Sequence, residues 1–162
     1  MSTLSVDTIQ GQTAAAKVKM PAGSILQYKS GNSNSNSIST NSTSLVATGA
    51  YIDFTPFYNN SIVMVTVQSR RFNMVTADVI NFELRRGGST VVGKSGHSKD
   101  IHFQNNNSSA ANQIAYPLSY MFEDTPATTS QVRYEIYMKV NGGDGYLADS
   151  GGVQFYVMEI AQ

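Results

Sequence analysis

The residues of this chain best suited by type to hold a metal ion lie in Gly96-His97-Ser98-Lys99-Asp100-Ile101-His102. On an extended segment His97 and His102, five residues apart, point to opposite faces. One ion cannot take both without a turn, and no third strong ligand adjoins them. A solvated loop is the expectation. Ser, His and Asp all occur, but there is no Gly-x-Ser-x-Gly elbow, and Ser95-Gly96-His97-Ser98 lacks a strand-to-helix context. The acidic pair Glu123-Asp124 precedes Thr125-Pro126, a turn at which neighbouring carboxylates are solvated more often than they form a glycosidase pair. No catalytic, cofactor-binding or metal residue is assigned, and an enzyme is not expected.

Two glycine-rich loops, Asn141-Gly142-Gly143-Asp144-Gly145-Tyr146 and Asp149-Ser150-Gly151-Gly152, superficially resemble calcium loops. They lack the alternate-position ligands and terminal Glu of an EF-hand, so they read as hairpin turns between the last strands. Arg70-Arg71 and Arg85-Arg86 read as solvated charges at strand ends, with an anion or a partner's carboxylates as the sharper alternative. The nine tyrosines suit core or interface anchoring, and tyrosine also stacks on carbohydrate.

Composition narrows the classes further. Charged residues make up only 14% of the 162, against about 25% in ordinary globular proteins. Eleven basic residues balance eleven acidic ones. That argues against a nucleic-acid binder, which must neutralise phosphates, and against a polybasic membrane-surface protein. The chain has no cysteine, which removes disulfides, thiol catalysis and zinc-thiolate sites. No stretch is long and apolar enough for a transmembrane helix, and residues 1–20 do not form a secretory signal. Polarity is carried by Ser, Thr, Asn, Gln and Gly, which suits a protein that packs against others or sits outside a cell.

The elements that must position these residues fall into an arm and a body. Residues 1–22 cannot build a core of their own. They read as an arm that docks through Leu4, Val6 and Ile9, or as a leader without fixed structure. Residues 23–162 read as an all-β body. Strand signals lie at residues 23–28, 45–47, 51–54, 62–67, 79–84, 131–140 and 153–160, with Ile38 in a possible edge strand inside a Ser/Asn-rich tract. Alternation is cleanest at residues 131–140, where Val132, Tyr134, Ile136, Met138 and Val140 share one face. No apolar stripe at helical spacing runs for three turns, so the expectation is an antiparallel β-sandwich. Residues 62–67 and 153–160 are apolar on both faces, and one face of a two-layer sandwich should meet water. Subunit association would cover it, and Val63, Val65, Phe155 and Val157 are assigned to that interface.

Read together, several segments carry a resemblance. They are Thr3-Leu4-Ser5-Val6-Asp7-Thr8-Ile9-Gln10, Met20-Pro21-Ala22-Gly23-Ser24-Ile25-Leu26-Gln27, Asp124-Thr125-Pro126-Ala127-Thr128-Thr129-Ser130 and Met158-Glu159-Ile160-Ala161-Gln162. The order resembles a family of small virion proteins of phages of aquatic bacteria, cyanophages especially, known as fibre or structural proteins. The resemblance implies a jelly-roll-like sandwich, similar to the globular heads of complement and tumour-necrosis-factor proteins, assembled as a homotrimer. It brings no catalytic residues and no cofactor. The expected place is the outer surface of a phage particle. The expected role is capsid decoration or head fibre, with the arm docked on the major capsid protein or another virion protein. The alternative is a tail-fibre or receptor-binding tip that recognises a host surface glycan. Neither nucleic acid nor membrane is an expected partner.

Overall fold

A strand buried on one side needs alternating side chains, and a chain of such strands must find a second sheet to cover them. The computed structural model describes residues 20–33, 38–75, 79–93, 100–104, 114–148 and 152–162. Within them the chain forms β1 (Ile25–Asn32), β2 (Ile38–Thr40), β3 (Val46–Phe54), β4 (Ile62–Val75), β5 (Val79–Arg86) and β6 (Thr90–Val91). It continues through β7 (Asp100–Gln104), β8 (Ile114–Asp124), β9 (Val132–Val140), β10 (Asp144–Leu147) and β11 (Val153–Ile160). No helix occurs among the described residues, so none is long and apolar enough to cross a membrane.

Every pairing is antiparallel. In the first sheet β4 is flanked on one side by β8 and on the other by β11 and β10 in succession; β1 pairs with β11 and β2 with β10. Both β10–β11 and β1–β2 thus act as single long strands with a break, leaving four strand positions: β8, β4, β11/β10, β1/β2. The second sheet also has four positions: β3, β9, β5, then β7 and β6 along one side of β5. The chain crosses between the sheets at each step from one strand position to the next, except from β5 to β6 and β7, which stay in the second sheet. Eight strand positions in this order are a jelly roll.

The core lies between the sheets. Val63, Val65, Val67, Phe72 and Met74 of β4, Phe155 and Val157 of β11, and Leu118 and Phe122 of β8 face Ile52 and Phe54 of β3 across it. Tyr134, Ile136, Met138 and Val140 of β9 and Ile80, Phe82 and Leu84 of β5 complete the interior. One glycine is fixed by space. A Cβ on Gly145 would lie 2.6 Å from Val140 Cγ1 and 2.7 Å from Ile80 Cδ1, so only glycine lets β10 approach β9 and β5.

Candidate functional site

The interface assigned from sequence falls on the wrong side of its strands. Val63, Val65, Phe155 and Val157 are each 0% exposed within the single chain and belong to the core between the sheets. Two adjacent apolar runs give no sign of which parity faces inward; the opposing sheet decides that. The outward parity carries Ile62, Met64 and Thr66 on β4 and Tyr156, Met158 and Ile160 on β11, all half-buried. Leu4, Val6 and Ile9, and His97, lie outside the described residues. His102 and Asp100 stand on β7, on the outer face of the second sheet. There the Asn81 carboxamide nitrogen lies 3.1 Å from His102 Nδ1 and donates to Asp100 at 3.4 Å. Among the described residues no group of three His, Cys, Asp or Glu is arranged to hold a metal.

Register builds the outer face of the first sheet row by row. Tyr28, Met158, Met64 and Glu123 are cross-strand neighbours, then Ser30, Tyr156, Thr66 and Met121, then Asn32, Gln154, Gln68 and Ser119. Directly opposed residues share a face, so each row is contiguous. Tyr28 (57% exposed) stacks on Tyr156 with ring centroids 6.4 Å apart, and Met121 is 61% exposed. Beside this face an aromatic edge opens. Phe103 of β7 packs on core Phe72 at 4.2 Å and meets Tyr120 edge-on, while Tyr116 lies 5.9 Å from Phe72. Tyr116 and Tyr120 are both exposed.

The outer face of the second sheet is built from charge. Arg133 grips Asp53 with two hydrogen bonds, 2.8 and 3.0 Å, and lies 3.7 Å over the Tyr51 ring. Arg85 pairs with Glu83 and lies over Tyr137 at 4.6 Å. The Arg133 hydrogen bonds hold the Asp53 carboxyl below its usual range against the opposing effect of burial, and Asp53 in turn raises the guanidinium's pKa.

Two buried polar devices lie at the end of the sandwich where residues 20–24 meet residue 161. There Gly23 N–H donates to the Ala161 carbonyl and Ala161 N–H to the Ser24 carbonyl. Glu159, 0% exposed, accepts hydrogen bonds from the backbone N–H groups of Phe57 and Tyr58 and from the Gln27 carboxamide. Burial pushes its pKa up, but these donors outweigh it and hold the carboxyl below its ordinary value. Asp124, ending β8, accepts from the Tyr134 hydroxyl at 2.8 Å and from Arg86 at 3.0 Å, clasping one sheet to the other. Burial, with the Asp124 charge, raises the Tyr134 pKa. Asp124 and Arg86 are therefore paired, not solvated turn and strand-end charges. No local sequence signal marks either device, because each joins residues far apart in the chain.

A third feature crosses the first sheet. Ser69 pairs with Leu118 and Phe72 with Tyr116, so Arg70 and Arg71 bulge opposite the single residue Pro117. At the same height the β11 pairing ends at Val153 and that of β10 begins at Leu147, while the next strand breaks between Asn32 and Ile38. Ala148 and Gly152 at this break take positive φ, 58° and 73°. A groove of about 250 Å³ lies along the seam, lined by Gln68, Arg70, Pro117, Ser119, Gly152 and Gln154.

No protein-family model matches the sequence, and the search of curated proteins finds no match. Among solved structures the chain is similar to Eiger TNF from S. frugiperda, at 9% identity over 83% of this chain and 94% of that one, with a TM-score of 0.44. It is also similar to a chain in the structure of infectious bursal disease virus Gt strain, at 9% identity over 98% of this chain and 43% of that one, with a TM-score of 0.37. The assignment of a jelly roll rests on the strand order itself.

Proposed function

We propose that this chain is a non-enzymatic structural protein of a phage particle. In this reading it is a homotrimer on the outer surface of the virion, a capsid-decoration or head-fibre protein. Its N-terminal arm attaches it to the major capsid protein or another virion protein. The observation that carries the reading is the sparsely charged Tyr/Met face of the first sheet beside an aromatic edge. Tyrosine and methionine are enriched, and charge depleted, at the cores of protein interfaces. Short of the Gln68–Gln154 row, six registered residues along β4 and β11 across four strands span about 400 Å² at ordinary strand spacings. A stable interface needs about 800 Å² per partner, so the face alone falls short and the edge of a neighbour must add to it. Face against edge joins two different patches. Repeated by rotation, such a contact closes into a ring, and the resemblance in the sequence sets that ring at three.

The arm supplies attachment. Residues 1–22 fully extended reach about 70 Å, enough to cross onto neighbouring subunits. Leu4, Val6 and Ile9 are spaced among polar residues as a segment that adds to another protein's sheet edge would have them. Three arms per trimer bind with avidity where the sites match the symmetry. Deleting residues 2–20 is the test. The truncated protein should sediment as a trimer, at three times the mass of one subunit, and fail to decorate particles in electron micrographs. Decoration at full occupancy by the truncated protein, or a monomeric intact protein, overturns the proposal.

A further inference from the structure

The seam across the first sheet breaks the jelly roll at one height in three neighbouring strand positions, and the break serves no visible need of the core. Leu118, Phe72 and Leu147 remain buried on the inner side of it. On the outer side it makes a groove and aims Arg70 into it. Bulges of this kind re-aim side chains and gather beside binding sites. The polar groups of the lining are two carboxamides, the hydroxyls of Ser69 and Ser119 and one guanidinium, set against apolar walls from Pro117 and Leu118. Gln68 donates weakly to Ser119 Oγ at 3.4 Å, leaving its carbonyl oxygen to accept. Gln154 accepts from the Tyr156 hydroxyl at 2.8 Å, leaving its NH₂ to donate. Arg70 is exposed and makes no ion pair among the described residues.

The geometry points to a binding site for an acidic sugar, a six-membered ring bearing a carboxylate among its hydroxyls. Arg70 takes the carboxylate, for which its planar fork is suited. Gln68, Gln154 and Ser119 offer both donors and acceptors to ring hydroxyls, which supply both in return. A groove of about 250 Å³ has room for one such ring, and is smaller than the pockets that enclose drug-sized ligands. An acidic peptide fits less well, since a single cation faces it and the remaining groups match hydroxyls. The groove occupies the polar end of the face, beyond the Tyr28–Met158–Met64 row. The inference does not depend on trimer formation or on whether the protein stands on a head or a tail.

The experiment titrates the intact protein with methyl glucuronide, methyl glucoside and a glutamate-rich peptide, following backbone and carboxamide NMR signals. The glucuronide should shift the signals of Gln68, Ser119 and Gln154 saturably, and bind about tenfold tighter than the glucoside, because the charge-assisted bond to Arg70 is lost with the latter. Arg70→Gln should bring the glucuronide down to the level of the glucoside, and Gln154→Ala should weaken both sugars. Arg70 is exposed, and an unchanged circular dichroism spectrum of the variant confirms its fold. Unmoved signals with the glucuronide, unchanged glucuronide affinity in Arg70→Gln, or equal affinity for the peptide would each overturn the assignment; the last would make the groove a seat for a partner's carboxylate.

Discussion

The outer faces of the two sheets cover the same core and have opposite chemistry. On the second sheet two arginines meet acids within the face, Asp53 with Arg133 and Glu83 with Arg85, each arginine also lying over a tyrosine ring. Such a face satisfies itself and needs only water outside. On the first sheet the three central rows hold one acid, Glu123, among Tyr, Met, Ser, Thr, Asn and Gln. That face has little charge to hold water and much apolar area to cover. Alternation builds the interior of both sheets in the same way, so what distinguishes them is read only from the outward parity.

Adjacent residues of β11 break this comparison most sharply. Val157 is fully buried and Met158 stands on the outer face. Val157→Asp places an unpaired charge in the core, at a cost of about 5 kcal/mol or more, and should abolish the folded signal in circular dichroism. Met158→Asp should keep that signal and instead yield a monomer by light scattering. A folded Val157→Asp protein would mean that the parity is reversed. Next in size is Glu159→Ala, which strands the Phe57 and Tyr58 amides and should cost about 3 kcal/mol in urea unfolding.

The same carboxylate sets an acid limit. Its folded pKa lies below the unfolded value of about 4.3, so its stabilisation is complete above that value and is lost as pH falls through the folded one. Glu159→Gln should flatten the stability-against-pH curve below about pH 4.3. Asp124→Ala, which leaves the buried Tyr134 hydroxyl without its acceptor, should cost about 2 kcal/mol. Smallest is Asp53→Asn on the charged face, expected to move Tm by no more than about 3 °C, since exposed ion pairs contribute little. A larger drop would show that the second sheet depends on its surface charges.

The sandwich was legible because alternation survives in β5 and β9, where apolar residues and burial follow the same period. Other strands were hidden by their own irregularities. Residues 45–47 and 51–54 read as two strands, and the structure joins them as β3 through an irregularity at Gly49, whose φ is +73°. The run at 62–67 seemed to end before Arg70-Arg71, yet β4 continues to Val75 beyond the bulge. The strand β8 went unread because Pro117 sits inside it. Proline is tolerated there because, among the described residues, β8 pairs with β4 alone. The outer face was wrongly assigned for a different reason: periodicity gives the two faces of a strand but not which is covered, and Glu159 in an apolar run gives no hint of its distant donors.

The pairing of β1 with β11 has a consequence for how the molecule comes into being. Ile25 lies opposite Ile160 and Asn32 opposite Gln154, with β11 seated between β1 and β4. A ribosome delivers residues 153–160 long after residue 32, so β1 must wait through most of synthesis for its neighbour, and β4 waits with one side open. Sheet closure is therefore a late step that joins distant parts of the chain, the kind of topology that folds in milliseconds to seconds, not microseconds. Until then the nascent protein carries unpaired strand edges, and its low charge offers little repulsion between neighbouring chains on a polysome. The edges of β1 and β4, rather than the finished sandwich, are therefore where the nascent chain is most open to pairing with a neighbour.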